Sequence, residues 1–308
     1  MELNETHAVR RTRRSLLAWV RGDERVAFGL LAPSLFILAL FTFYPMLATL
    51  VNSFFVTNIA GVTTRFVGLA NYQAVFGDPV FIQSLTSTLV YVLAVSSLTV
   101  LLALTLARLA TMKLRHIGWV RTAFASTMGM SAAAASILWL FLFNPSVGQL
   151  PQLMQALGWA NANPLADGQG AMVVVVLVSV WLHLGFAFLI LLSALQSVPQ
   201  DYYEVAEIAG VSSLKQTLRI TVPMVSPTLF FLFVVEVIAS FKSFAEIDLM
   251  TGGGPNNVTN LLAYKVYLDA FGLQKFGPAS AEAIVLTGLI ALATWVQFRF
   301  TERKVFYG

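Results

Sequence analysis

The chain has 308 residues, 57% hydrophobic and 11% charged, where a soluble domain carries roughly a quarter charged residues, which excludes disorder and argues against a soluble enzyme. A mean hydropathy of +0.77 sets most of its surface against a bilayer. With no cysteine there is no disulfide framework, thiolate metal site or cysteine nucleophile, and the net charge of +4 marks no nucleic-acid face, because the basic residues gather between apolar runs.

In chain order, residues 1–25 form a basic segment with Arg10, Arg11, Arg13, Arg14, Arg21 and Arg25. Four runs free of Asp, Glu, Lys and Arg follow: Val26 to Thr64, Pro79 to Ala107, Thr122 to Ala166 and Gly168 to Gln200. Each exceeds the roughly 20 residues that cross a hydrocarbon core. The third holds one span plus a loop, because Asn144-Pro145 and Asn161 to Gln169 carry turn chemistry. Two shorter runs, Ile220 to Val235 and Ala283 to Phe298, bring the expected number of spans to six, near 26–51, 83–107, 119–143, 171–197, 223–248 and 279–299. All read as helices, since a transmembrane strand needs only about ten residues and alternates in polarity. The first is too long, and lacks the small-residue cleavage site, for a secretory signal peptide. The expected fold is thus an all-α, six-helix membrane domain over 26–300, with a tail at 301–308.

Lys and Arg in short loops set orientation. The amino-terminal segment, Arg108, Lys113, Arg115 and Arg121, then Lys215 and Arg219, then Arg299, Arg303 and Lys304 all fall on one side. Only Arg65, Lys265 and Lys275 fall on the other, so both termini and the loop after span four are expected in the cytoplasm. Trp19, Trp119 and Trp295 near cytoplasmic span ends, and Trp139 near an outer end, fit an interfacial aromatic belt.

The loop 199–223 reads as two short helices. Asp201 is a suitable N-cap with Glu204 three residues on, Gly210 a natural C′ residue, and Ser212 or Ser213 a second start. Pro223 suits the first turn of span five. On the residues alone, this is either a surface hairpin in which Glu204 merely caps or a module that meets a partner.

Ionisable groups inside a span face a cavity, a partner or one another. Lys242 and Glu246, four apart in expected span five, read as an ion pair on one helical face or as a substrate contact through Lys242. Glu236 lies about 240° around the helix from Lys242 and needs another partner: a substrate hydroxyl, a second subunit or a proton. Trp181 and His183 fall mid-span in span four and read as packing and as an interhelical hydrogen-bonder, or as pathway groups. Glu282 and Asp248 are expected to line the outer mouth or stay hydrated there. Small and hydroxyl residues at Ser96-Ser97 and Ser131 to Ser136 signal close helix packing. Gly252-Gly253-Gly254-Pro255 lacks the GxxxxGK[ST] pattern of a phosphate loop and reads as a turn. Nothing in the sequence reads as a metal site or a catalytic cluster.

Glu204-Val205-Ala206, Gly210, Ile220, Val222 and Pro223 resemble the EAA loop of binding-protein-dependent ABC importer permeases: Glu-Ala-Ala, three residues, Gly, nine residues, Ile, any residue, Leu, Pro. Val205 replaces Ala, Val222 replaces Leu, and Ala209 stands where many relatives carry Asp. Leu249-Met250-Thr251-Gly252-Gly253-Gly254-Pro255 resembles the Leu-Thr-Gly-Gly-Gly-Pro of carbohydrate-type permeases. The likeness extends through Phe141 to Pro145, Ala194 to Pro199 and Val296 to Phe300.

The resemblance implies a type I importer permease fold and a subunit that binds no cofactor. Its partners would be a second permease, two ATPase subunits carrying ATP and Mg2+, an extracytoplasmic binding protein and membrane lipid, with no nucleic acid. It implies a multi-pass protein of the cell (inner or cytoplasmic) membrane. Glu204 would pair with a basic ATPase residue, while Val205, Ala206, Ile208 and Leu214 seat the loop in the ATPase cleft and Gly210, Ile220 and Pro223 shape it. The glycine-rich loop would dock the binding protein. Within the family the wording is nearest to permeases for sn-glycerol 3-phosphate and glycerophosphodiesters, with Lys242 as a phosphate contact. A di- or oligosaccharide permease is the alternative, and a proton-coupled secondary transporter is a remote one, lacking the internal repeats it needs.

Overall fold

The computed structural model describes residues 29–111, 117–158 and 163–301. Trp19, the arginines of the first 25 residues, Lys113, Arg115, Arg303 and Lys304 lie outside the described residues. The chain forms two units, divided between Asn52 and Ser53. The first contains helix α1, Gly29–Asn52, with a π-helical turn at Ala39–Phe43. It is apolar along its length, with no Asp, Glu, Lys or Arg among its 24 residues, as suits a helix that crosses a bilayer.

The second unit opens with an antiparallel hairpin, β1 Phe55–Thr57 and β2 Thr63–Phe66, pairing Phe55 with Phe66 and Val56 with Arg65. Helices follow in order: α2 Ala70–Gly77, α3 Pro79–Thr111, α4 Ile117–Ser126, α5 Ala132–Phe143, α6 Gln149–Ala156 and α7 Gly168–Gln196. Then come α8 Asp201–Ile208, α9 Ser213–Met224, α10 Ser226–Phe241, α11 Ala245–Met250, α12 Leu262–Tyr267 and α13 Phe276–Val296. Side-chain caps begin three of them, the first being Asp78, which accepts the Val80 N–H at 2.9 Å ahead of α3. Ser131 accepts the Ala134 N–H at 3.2 Å ahead of α5, and Asp167 accepts the Gly170 N–H at 3.0 Å ahead of α7.

Four helices, α1, α3, α7 and α13, are each long and apolar enough to cross a membrane. The expected third and fifth spans are bent pairs, 111° between Arg121–Gly129 and α5, and 75° between α9 and α10. The described residues therefore provide four spans, or up to six if each bent pair crosses once. Both bends have a local cause that hydropathy does not register. At the first, Met130 and Ser131 are extended, which lets Ser131 cap α5. At the second, Val225 leaves the helical region and Pro227 enters the first turn of α10 without an N–H to donate. The Pro223 carbonyl is served instead by the Ser226 hydroxyl at 2.7 Å. Pro223 thus closes α9 and does not open the span. The fifth span also stops early: α10 ends at Phe241, and Lys242 is its non-helical cap.

The core of the unit lies where α3 runs along α7. Ala103, Ala107 and Ala110 of α3 meet Ala187, Phe188, Leu191 and Leu195 of α7, with Val225 and Leu232 closing the cluster. Small residues on α3 permit this close approach. A second cluster joins Tyr91, Val92 and Val95 to Val175, Val176, Val237, Phe241 and Ile247. Gly185 brings α7 against α4 so tightly that a Cβ there would lie 2.6 Å from the Phe124 carbonyl. The opposite faces of these helices are apolar and exposed at Val90, Leu93, Leu101 and Leu177.

Candidate coupling and transport sites

The loop 199–223 folds as the two expected helices, α8 and α9. Gly210, at φ +70°, ends α8 in a Schellman arrangement. Its N–H reaches the Glu207 carbonyl at 2.9 Å, and the Val211 N–H reaches the Ala206 carbonyl at 2.9 Å. Ser212 is the extended residue ahead of α9. The expected N-cap differs: Gln200 is already helical, makes no side-chain cap, and leaves Asp201 and Glu204 both inside the first turn. Their charges still favour that end of the helix through its dipole.

Val205, Ile208 and Leu214 project outward, 67%, 88% and 70% exposed, while Ala206 is buried beneath them. Glu204 borders a cavity of about 480 Å3 that Arg108, Arg121, Tyr203 and Glu207 also line. Arg108, at the end of α3, donates through Nη1 to Thr221 Oγ1 at 2.8 Å. Its Nη2 donates to the Ser213 carbonyl at 3.0 Å and to Ser213 Oγ at 3.1 Å. The Tyr203 hydroxyl lies 3.0 Å from the same Thr221 oxygen, and Arg121 Nη2 donates to the Ala110 carbonyl at 2.7 Å.

Between α7 and α10 the structure joins two of the sequence candidates. His183 Nδ1 lies 2.8 Å from Glu236 Oε2, beside a cavity of about 230 Å3 bordered by Thr127, Met130 and Phe186. Trp181 packs edge-on against Trp139, with ring centroids 5.5 Å apart. The expected Lys242–Glu246 pair does not form, because the helix stops between them: Lys242 is exposed at the end of α10, and Glu246 is buried at the start of α11. Beside that break the Tyr91 hydroxyl lies 2.7 Å from Ser179 Oγ and 2.9 Å from Ser243 Oγ, tying α3, α7 and the α10–α11 turn together.

At the other end of α3, Gly252 and Gly253 take φ +55° and +80°, and the Gly254–Pro255 bond is cis. The Thr259 hydroxyl donates to the Gly254 carbonyl at 2.6 Å, and Gln83 of α3 donates to the Asn256 carbonyl at 2.8 Å. A Cβ on Gly253 would meet the Tyr264 ring at 3.0 Å. Beneath this loop Lys265 reaches Asp269 at 2.7 Å, Glu282 at 2.9 Å and Asp78 at 3.2 Å. Glu282 is 1% exposed, so it neither lines a mouth nor stays hydrated. Burial opposes the Lys265 charge, but the hydrogen bonds and charges of Asp269 and Glu282 outweigh it and raise its pKa above the usual ammonium range. Asp78 is lowered despite its burial, by the Val80 N–H and by Lys265.

Residues 104–305 match the family described as "Binding-protein-dependent transport system inner membrane component". The chain belongs to this family. As a binding-protein-dependent permease it is 36% identical over 282 residues to the sn-glycerol-3-phosphate transport system permease protein UgpA of Agrobacterium fabrum, covering 91% of this chain and 95% of that one. Against the UgpA of Yersinia enterocolitica it is 36% identical over 279 residues, covering 90% and 94%. Its fold matches a crystal structure of a bacterial alginate ABC transporter in complex with alginate pentasaccharide-bound periplasmic protein. The TM-score is 0.77 at 18% identity, over 92% of this chain and 96% of that one.

Three features of the permease escaped the sequence reading. In the sequence Arg108 and Lys265 read only as topology charges, although the four-residue step from Lys265 to Asp269 is a visible sign of a pair. Tyr91 gave no sign at all, since its partners Ser179 and Ser243 are distant in sequence.

Proposed function

We propose that this permease is one of two transmembrane subunits of an ABC importer that moves sn-glycerol 3-phosphate or glycerophosphodiesters inward from a binding protein. The observation that carries the reading is the near full-length likeness to permeases named for sn-glycerol-3-phosphate transport, 36% identical over 91% of the chain. Six crossings, with both termini and residues 199–223 cytoplasmic, follow from the placement of Lys and Arg. The permease then lies in the cytoplasmic membrane. ATP and Mg2+ belong to two ATPase subunits, and this chain hydrolyses nothing.

The exposed apolar surface of Val205, Ile208 and Leu214, with Glu204 beside it, suits insertion into a cleft on each ATPase. Closure of the ATPase pair would displace α8 and α9, which join α7 to α10, as a rigid element. The loop around Gly252 to Pro255 faces the binding protein in this scheme, and the cavity at His183 and Glu236 lies on the pathway. A di- or oligosaccharide is the second reading. It is favoured by Glu236, a carboxylate that accepts from hydroxyls and repels a phosphate. Family membership displaces the proton-coupled reading.

The test is ATPase activity of the reconstituted complex with its binding protein, titrated with glycerol 3-phosphate, glycerophosphocholine and maltose, for wild type and Glu204→Ala. Stimulation by either phosphate compound that Glu204→Ala abolishes is expected. Stimulation by maltose alone transfers the substrate to the sugar class, and full coupling in Glu204→Ala defeats the loop's role.

A further inference from the structure

Helix α3 has no covalent link to the loop 199–223, which is continuous only with α7 and α10. Its contact with the loop's base is otherwise smooth: Ala107 and Ala110 lie against Leu195, Val198 and Val225. Alanine faces of this kind hold helices close but resist sliding poorly, because methyl contacts carry no direction. Arg108 supplies the direction. Its guanidinium is a planar fork whose two Nη atoms bind separate sites on α9, Ser213 at the first turn and Thr221 at the π-helical end. Thr221 is fully buried, and the same oxygen meets the Tyr203 hydroxyl of α8. One side chain from α3 thus holds α9 directly and meets α8 through the shared Thr221 oxygen.

We propose that Arg108 is a positioning residue that fastens the coupling loop to α3, so that displacement of the loop is delivered to α3 as well as to α7 and α10. The proposal rests on the coupling role given to residues 199–223. Through α3 the displacement reaches the opposite end of the unit. There Gln83 holds the Asn256 carbonyl, and Thr88 Oγ1 accepts the Leu262 N–H at 2.9 Å. The clamp therefore joins the ATPase-facing loop to the segments beside the glycine-rich loop through one continuous helix of 33 residues.

The chain has no cysteine, so spin labels placed by Thr111→Cys and Lys215→Cys report the α3-to-loop separation directly in a complex whose partners also lack cysteine. The complex is compared without nucleotide and with ATP plus orthovanadate. In the otherwise wild-type permease the separation stays constant between the two states. In Arg108→Ala it changes between them, and glycerol 3-phosphate moved per ATP hydrolysed falls roughly tenfold, the scale of one charge-assisted hydrogen bond, while the ATPase still co-purifies. Thr221→Val with Ser213→Ala removes the two side-chain acceptors and keeps Arg108; a change in the same direction is expected, smaller because the Ser213 carbonyl still accepts from Nη2, and this variant decides the matter if Arg108→Ala loses its ATPase. An unchanged separation together with wild-type transport per ATP overturns the clamp. A coupled Glu204→Ala defeats the loop reading, and with it the delivery of the loop's displacement to α3, whatever Arg108→Ala does. An uncoupled Glu204→Ala beside a coupled Arg108→Ala defeats the clamp alone.

Discussion

His183 and Glu236 meet 2.8 Å apart between α7 and α10, the carboxylate almost wholly buried and the imidazole one-fifth exposed toward a small cavity. Removing one member strands the other, which costs about 3–5 kcal/mol for a buried charged partner, whereas replacing both by apolar groups of similar volume is nearly neutral. The pair Glu236→Met and His183→Leu is therefore expected to retain more thermal stability in detergent than His183→Leu alone, which leaves the buried carboxylate without its partner. Strictly additive losses would show that the two side chains are not energetically coupled.

The Lys265 cluster makes a second prediction. Lys265→Met leaves Asp269 and Glu282 buried without their cation, and a loss of about 3–5 kcal/mol is expected. It should appear as a lowered melting temperature, larger than that of Lys275→Met, whose side chain is exposed. Wild-type stability in Lys265→Met would mean that the acids rearrange without the ammonium.

The pH dependence of the Lys265–Asp78 pair follows from the direction of each shift. Asp78 is lowered in the folded protein, so its contribution is present above its unfolded pKa and is lost as pH falls through the still lower folded one. Lys265 is raised, so its contribution is complete below its unfolded pKa, about 10.4, and is lost only above it. The coupling between Asp78→Asn and Lys265→Met, read from melting temperatures, should shrink as pH falls below about 4, where the Asp78 charge is lost. A coupling that stays unchanged well below about pH 4 would contradict the lowering of Asp78.

Much of this was legible in the sequence, for physical reasons that differ from residue to residue. Charge-free runs reveal helices because a bilayer admits little else, and α3 and α7 appear where Pro79 to Ala107 and Gly168 to Gln200 placed them. Gly210 was readable because a left-handed residue after a polar helix start has few other meanings. The bends were not legible: Val225 and Met130 are ordinary apolar residues whose backbone angles depend on the caps that follow. The partner of Glu236 was hidden because it lies 53 residues away, on a helix whose rotation no periodicity fixes. Lys242 and Glu246 misled because a four-residue step pairs charges only while the helix continues, and this one stops at Phe241.

Gly253 sits at φ +80°, with the Tyr264 ring 3.0 Å from where a Cβ would be. Gly253→Ala is strained both by the backbone angle and by the ring, each at a cost on the order of 1 kcal/mol or more. Because the loop lies at the far end of α3 from residues 199–223, its distortion is expected to abolish stimulation of ATP hydrolysis by the loaded binding protein while the ATPase subunits still co-purify. Normal stimulation in Gly253→Ala would remove this loop from the docking surface.

Ile208 offers the sharpest test of what covers α8 and α9. At 88% exposure it supports nothing inside the chain, and neither does Leu214 at 70%. Ile208→Asp should therefore leave the melting temperature of the isolated permease unchanged. Burial of one such side chain in a partner is worth about 1.5–3 kcal/mol, and an unpaired carboxylate in the same cleft adds a desolvation cost. Association with the ATPase is therefore expected to weaken by at least about tenfold, read by co-purification at decreasing protein concentration. A lowered melting temperature of the isolated permease would place Ile208 in its own fold. Undiminished association with full transport would show that the ATPase approaches the permease elsewhere.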